Sequence, residues 1–281
     1  MASTAVLFPG QGSLPPDAGQ RAWGLWPELV QHAAELLGED PFPGAPHSTK
    51  YAQPAIFLAS MAAWREEGPA LSEVCAIAGH SLGELSALAA AGALSVNDAL
   101  QLVVLRGGLM AEAAAEHPGG GMVALLGADP DQAAELGHRH RVALANDNAP
   151  GQMVMSGNRE SLNRLVADAR QVGLRAMDLD VAGAFHSDDM SSAELSFLSA
   201  MEEIPTATPA VPVVSGLTAQ PFRDLPFELS RAIVSPVRWR EVMSTLVTLG
   251  ASDFIDIGPG QVLARLVKRN VVGQEARVLS T

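Results

Sequence analysis

The sequence predicts an α/β fold with a mostly parallel sheet and a small domain inserted into it. Short uncharged runs at residues 5–8 and 74–78 read as strands buried on both faces. Each ends in a glycine-bearing turn, Pro9-Gly10-Gln11-Gly12-Ser13 and Gly79-His80-Ser81-Leu82-Gly83. Beyond the break His117-Pro118-Gly119-Gly120-Gly121 the elements shorten and follow the order β-α-β-β-α-β, which marks the insert.

The elements follow in order. After the first strand, residues 14–50 are mixed, with a helical stretch near 26–37. A second helix is expected over 54–65, although its apolar face is irregular. The strand at 74–78 runs through its turn into a helix over 84–91, built from good helix formers and ended by Gly92. Ser95 with Asp98 three residues on reads as an N-terminal cap for a helix reaching about Glu116. Pro118 and three glycines then read as a linker holding no regular element. Within the insert, strands are expected at 122–126, 142–146, 152–156 and 175–179, with helices at 130–138 and 159–171. The chain returns to the main body near residues 183–187. A strand at 212–215, a helix over 237–249, a strand at 254–257 and a final helix over 262–268 complete it.

Composition sets limits on function. Hydrophobic residues make up 48% of the 281, so the chain has a core to bury and disorder is excluded as its general state. The net charge of −13 argues against a general nucleic-acid binder, which needs a broad positive surface. The excess is uneven. Residues 221–281 carry eight basic against six acidic side chains, so a patch within them either meets an acidic partner or is a scatter of solvated arginines. Cys75 is the only cysteine, which excludes an intrachain disulfide and a cysteine metal cluster and fits a reducing, cytoplasmic compartment. Met1-Ala2-Ser3-Thr4 has no basic segment ahead of the first strand and does not read as a signal peptide; no uncharged apolar run is long enough for a membrane helix.

The chemistry-bearing motif is Gly79-His80-Ser81-Leu82-Gly83, a G-x-S-x-G sequence between strand and helix. A sharp strand-to-helix turn presents the serine hydroxyl, and its crowding demands small residues two positions away on either side. Amides of the following turn then face charge developing on a carbonyl oxygen. The competing reading is a glycine-rich packing turn with an inert serine. Among the seven histidines, His186 in Gly183-Ala184-Phe185-His186-Ser187 lies where the chain rejoins the main body, either as a base for Ser81 or as a buried structural histidine. The turn at Gln11 lacks the spacing of a dinucleotide site and offers backbone amides at a strand end, as an oxyanion hole or an ordinary turn. Arg106 sits in an otherwise uncharged helical run, with no acid four residues away on either side. It needs a partner, which is a distant carboxylate or a carboxylate on the substrate; Gly107 and Gly108 leave room for close approach.

Taken with Asn148-Ala149-Pro150, Ser235-Pro236-Val237-Arg238-Trp239 and Gly258-Pro259-Gly260, these motifs occur in an order that resembles the malonyl-CoA:acyl-carrier-protein transacylases and polyketide-synthase acyltransferase domains, as a discrete, trans-acting member. The resemblance spans nearly the whole chain. It implies an α/β-hydrolase-like large subdomain, residues 1–118 and 187–281, with a ferredoxin-like small subdomain at 119–186. Position by position, it implies Ser81 as nucleophile, His186 as base, Gln11 and Leu82 as oxyanion-hole amides and Arg106 as clamp for the acyl carboxylate. His80, Asn148 and Phe185 would shape the pocket, and a backbone carbonyl near Gly260 and Gln261 would orient the histidine. Phe185 is similar to the residue of malonyl-selective members.

The activity so implied is ping-pong transfer of an acyl group, expected to be malonyl, from coenzyme A to the phosphopantetheine thiol of an acyl carrier protein. No bound cofactor or metal is expected; the acyl-CoA or acyl-carrier protein is substrate. The alternatives are transfer of an unusual acyl group between two carrier proteins, hydrolysis of acyl thioesters as editing, and a non-catalytic carrier-docking module. Arg265, Lys268 and Arg269 are the candidates for docking an acidic carrier. Three departures from the family pattern bear on the acyl group: Leu14-Pro15-Pro16 after Ser13, Leu85 after Glu84, and Asp188-Asp189-Met190 after Ser187. The two acids are expected to raise the pKa of His186.

Overall fold

The computed structural model describes residues 3–271 and 277–280; Met1 and Ala2, where the signal-peptide reading began, lie outside the described residues. The chain opens with β1 (Thr4–Phe8), α1 (Ala18–Leu25), α2 (Pro27–Leu37), α3 (Pro41–Gly44), α4 (Thr49–Glu67), β2 (Val74–Gly79), α5 (Gly83–Ala90) and α6 (Val96–Glu116). A second group follows: β3 (Gly120–Leu126), α7 (Pro130–His140), β4 (Ala143–Ala149), β5 (Gln152–Asn158), α8 (Arg159–Gln171) and β6 (Arg175–Leu179). The chain ends with α9 (Ser191–Glu202), β7 (Val213–Val214), α10 (Leu225–Arg231), α11 (Trp239–Thr248), β8 (Asp253–Asp256), α12 (Val262–Asn270) and β9 (Arg277–Ser280).

Two sheets result. The first has the order β7-β2-β1-β8-β9 and every pairing in it is parallel. Its central strand, Thr-Ala-Val-Leu-Phe, is buried at all five positions because helices cover both faces. The second sheet, β4-β5-β3-β6, is antiparallel. Val123, Leu125, Met153 and Met155 turn to its own helices, with Leu136, Leu162 and Leu165. Their alternates, Met122, Ala124 and Val154, join the core of the large body instead. The sheet is thus apolar on both faces, and one of them closes over the large body. Asp147 and Val237 tie the edge strand down, through Asp147 N–H to Val237 O at 2.9 Å and Val237 N–H to Ala145 O at 2.9 Å.

Local rules account for most element ends. Ser95 caps α6 by accepting from the Asp98 N–H at 3.0 Å. Two expectations need correction. Gly120 and Gly121 belong to β3 rather than to a linker, paired with Asn158 and Gly157. Glycine is required at Gly120 by crowding, since a Cβ there would lie 2.8 Å from Ala184 N; a Cβ on Gly121 would meet only the movable end of the Arg159 side chain. The second concerns α4, which starts at Thr49, five residues before Pro54, with Ser48 as its cap. Pro54 cannot donate to the Lys50 carbonyl. At that point α6 crosses closely: a Cβ on Gly107 would come within 3.1 Å of Lys50 O. Gly107 therefore serves helix packing.

Candidate active site

Three loops leave the parallel sheet at one edge because their strands are in register. Phe8 pairs with Gly79, and Leu7 with both Ala78 and Asp256, so the chain emerges beside itself at Gln11, Ser81 and Gly258. This crevice beyond the carboxyl ends of parallel strands is where open α/β sheets hold ligands. Ser81 stands there with φ of 53°, a left-handed conformation that strains a residue bearing a Cβ. The glycines on either side are obligatory: a Cβ on Gly79 would lie 2.0 Å from Gly83 C, and one on Gly83 2.2 Å from Phe8 O.

His186 meets Ser81 across the crevice. Its Nε2 lies 2.9 Å from Ser81 Oγ. Its Nδ1 faces two carbonyl oxygens, Ala232 at 2.8 Å and Ser235 at 3.1 Å. Carbonyls only accept, so the ring proton is on Nδ1 and the lone pair of Nε2 is turned to the serine O–H. His186 also has positive φ, 58°. Burial first, and then the Arg106 guanidinium, push its pKa down to about 4, so the ring is a neutral base at neutral pH. This corrects two expectations. The orienting carbonyls are those of Ala232 and Ser235, not near Gly260 and Gln261; Ala232 caps the C-terminal end of α10, where helix carbonyls are left without intrahelical donors. Gly260 instead packs the Gln11 loop, a Cβ there falling 2.4 Å from Ser13 O. Nor do Asp188 and Asp189 raise the histidine: Asp188 is exposed, and burial and Arg106 dominate.

Arg106 is 4% exposed. It donates through Nη1 to Gln53 Oε1 at 2.8 Å and through Nη2 to Ser81 Oγ at 3.2 Å. Burial lowers its pKa to about 10, which leaves it charged at neutral pH. Gln53 went unnoticed in the sequence, although a glutamine among Tyr51-Ala52-Gln53-Pro54-Ala55 is the one long polar side chain of an apolar stretch. Its Nε2 donates to Thr49 Oγ1 at 3.1 Å, and that hydroxyl donates to Gln11 Oε1 at 2.9 Å. The network joins the Gln11 loop to the arginine.

The cavity, about 110 Å³, is lined by Gln11, Gln53, His80, Ser81, Leu82, Arg106, Met110, Met122, Asn146, Leu179, Val181, Phe185 and His186. Asn148 is not among them. It reaches the site through His80, accepting at Oδ1 from Nε2 at 2.8 Å, while Trp239 packs on the same imidazole with ring centroids 5.2 Å apart. Burial lowers the pKa of His80, which is neutral. Met122, Leu179 and Val181 come from the antiparallel sheet and its exit, so the two sheets wall the cavity from opposite sides. Arg265, Lys268 and Arg269 are exposed on α12, outside the cavity; Asn270 on the same helix donates to Asn148 O at 2.9 Å. Among the described residues, no cluster of histidine, cysteine or carboxylate side chains is arranged to hold a metal ion.

A strained hydroxyl aligned on the free nitrogen of a neutral imidazole is equipped for acyl transfer through a serine ester. The buried guanidinium on the same oxygen is equipped to hold an anionic acyl group. Residues 28–280 match the family model described as acyl transferase domain. The chain is 36% identical over 97% of its length to the polyketide biosynthesis protein ThaF of Burkholderia thailandensis, a much larger protein of which it spans 24%. It is 33% identical to the polyketide biosynthesis malonyl CoA-acyl carrier protein transacylase PksC of Bacillus subtilis, covering 94% of this chain and 95% of that one. A solved type II polyketide-synthase acyl-carrier protein complexed with its malonyl-transacylase superposes with a TM-score of 0.90 at 30% identity, covering 100% of this chain and 96% of that one.

Proposed function

This chain belongs to the acyl transferase family, among the malonyl-CoA:acyl-carrier-protein transacylases, and from that membership we propose how its own residues carry out the transfer. The enzyme moves a malonyl group from coenzyme A to the phosphopantetheine thiol of an acyl carrier protein. The observation that carries the residue assignment is the single oxygen, Ser81 Oγ, shared between His186 Nε2 at 2.9 Å and Arg106 Nη2 at 3.2 Å.

In the first half-reaction Ser81 Oγ attacks the thioester carbonyl while its proton passes to His186 Nε2. The imidazolium so formed is held by the Ala232 and Ser235 carbonyls at Nδ1. The amides of Gln11 and Leu82 receive the oxyanion, each donor contributing about 3 kcal/mol to the transition state. The tetrahedral intermediate collapses, the C–S bond breaks, and coenzyme A leaves as a thiol with the proton from His186. In the second half the carrier thiol gives its proton to His186 and its sulfur attacks the serine ester; Ser81 departs and recovers the proton. Arg106 holds the malonyl carboxylate throughout. His80, fixed by Asn148 and Trp239, and Phe185 shape the acyl pocket.

Carrier docking is assigned to Arg265, Lys268 and Arg269, three exposed cations on the one helix α12; of the other arginines of this region, those at 231, 238, 240 and 277 are engaged in ion pairs and the exposed Arg223 stands on a separate segment ahead of α10. The lone, free Cys75 supports a cytoplasmic setting. The test is to supply malonyl-CoA with and without a phosphopantetheinylated carrier protein. Malonyl-carrier should accumulate with one equivalent of coenzyme A released. Continuous release of malonate without carrier would overturn transfer in favour of hydrolysis.

A further inference from the structure

We propose that Glu84, one helical turn behind Ser81, is a positioning and specificity-determining residue whose charge sets how strongly Arg106 holds the acyl carboxylate. The inference rests on the assignment of Arg106 as that anchor and deepens it. Glu84 lies in α5 at 3% exposure, and its Oε1 accepts from the Gly216 N–H at 2.7 Å. Such a carboxyl is too buried to serve solvation and is fixed in place by a backbone donor. Arg106 meanwhile spends its named hydrogen bonds on uncharged partners, Gln53 and Ser81. The Glu84 N–H donates to Ser81 O at 3.0 Å, so the first turn of α5 is tied to the residue whose Oγ Arg106 holds at 3.2 Å, and α5 packs along α6, which carries Arg106; this sets the buried Glu84 carboxyl within reach of the guanidinium's charge.

The charged groups facing Glu84 are Arg106 on α6 and Glu228 on α10. Of the other elements packed on α5, β1 and β2 contain no charged residue, and α4 carries Lys50, Arg65, Glu66 and Glu67 only at its two ends. Burial is the largest influence on Glu84 and pushes its pKa up to about 7, with the Gly216 N–H and Arg106 working against it. Its charge therefore changes within the neutral range. Ionised, it offsets the positive potential of Arg106 and competes with the donor's carboxylate. Protonated, it leaves the guanidinium to the donor. A donor without an acid end gains nothing from either state.

The sign follows: preference for malonyl over acetyl rises as pH falls. The experiment measures kcat/KM for malonyl-CoA and acetyl-CoA between about pH 6 and about pH 8.5, in wild type, Glu84→Gln and Arg106→Ala. Glutamine keeps an acceptor for Gly216. In wild type the malonyl-to-acetyl ratio should fall about three- to tenfold from the acid to the basic end, the effect of one partly screened buried charge. In Glu84→Gln it should stay flat at the high value. Steps common to both donors, including titration of His186, cancel in the ratio, so a merely structural role for Glu84 would leave its pH dependence unmoved. A constant ratio in wild type overturns the proposal even if the glutamine variant fails to fold, and so does a glutamine variant that titrates like wild type. If Arg106→Ala loses both donors equally, the anchor assignment itself falls; a loss confined to malonyl alongside a constant wild-type ratio removes Glu84 alone.

Discussion

Replacing Arg106 by alanine separates the anchoring of the acyl group from the chemistry at the serine. The guanidinium is buried and makes one bond to Gln53 and one to Ser81 Oγ, which leaves three of its five N–H donors for a donor carboxylate. Stripping a buried carboxylate of its charged partner costs about 3–5 kcal/mol. At about 1.4 kcal/mol per factor of ten, kcat/KM for malonyl-CoA should fall about 140- to 3,700-fold. Acetyl-CoA brings no carboxylate. It loses only the arginine's bond to the serine oxygen, about 1 kcal/mol, or about fivefold. The assay follows coenzyme A release with each donor at limiting concentration, alongside a urea melt of the variant. Parallel losses with both donors in a protein of unchanged urea midpoint would refute the anchor.

The remaining predictions can be checked with the same donors. Because His186 is held near pH 4, serine acylation by acetyl-CoA, which has no carboxylate to feel Glu84, should be level from about pH 5 to about pH 8 and decline as pH falls through 4; Arg106→Ala removes a positive neighbour and should move that acid limb upward, and an unshifted limb would contradict the assigned cause. Gly83→Ala drives a methyl to 2.2 Å from Phe8 O, so it should lower the urea-derived stability by at least about 1–3 kcal/mol and reduce acylation with it. Glutamate at Arg265, Lys268 or Arg269 should slow transfer to the carrier, more at low salt, while leaving acylation by malonyl-CoA at the wild-type rate.

How much of this was legible in the sequence depended on how local each cause is. The strand-elbow-helix around Ser81 was readable because glycine spacing and apolar runs are determined by near neighbours. The Ser95 cap and the helix over Arg159–Gln171 were readable for the same reason. The carbonyls that orient His186 were not, because they sit on α10, a seven-residue helix too short to show periodicity. Its Asp224-Leu225-Pro226 start was the available signal, a side-chain cap followed by proline in the first turn. The fall in the His186 pKa was equally hidden. It arises from burial and from Arg106, eighty positions earlier, whereas the adjacent Asp188 and Asp189 suggested a rise. Gln53 shows a third kind of difficulty: a neutral polar side chain becomes conspicuous only when the guanidinium it satisfies is beside it. Gly120 and Gly121 show a fourth, since both are strand residues and at Gly120 the glycine marks close backbone approach, not a flexible joint.

The central claim is that the malonyl group rests on Ser81 midway through transfer, put there by His186. Intact-protein mass spectrometry after brief exposure to malonyl-CoA without carrier addresses it directly. One malonyl adduct per chain should form, map to the peptide containing Ser81, and disappear when carrier protein is added; Ser81→Ala should show none and His186→Ala should form it far more slowly. An adduct on another residue, or transfer to the carrier that persists in Ser81→Ala, would contradict the account.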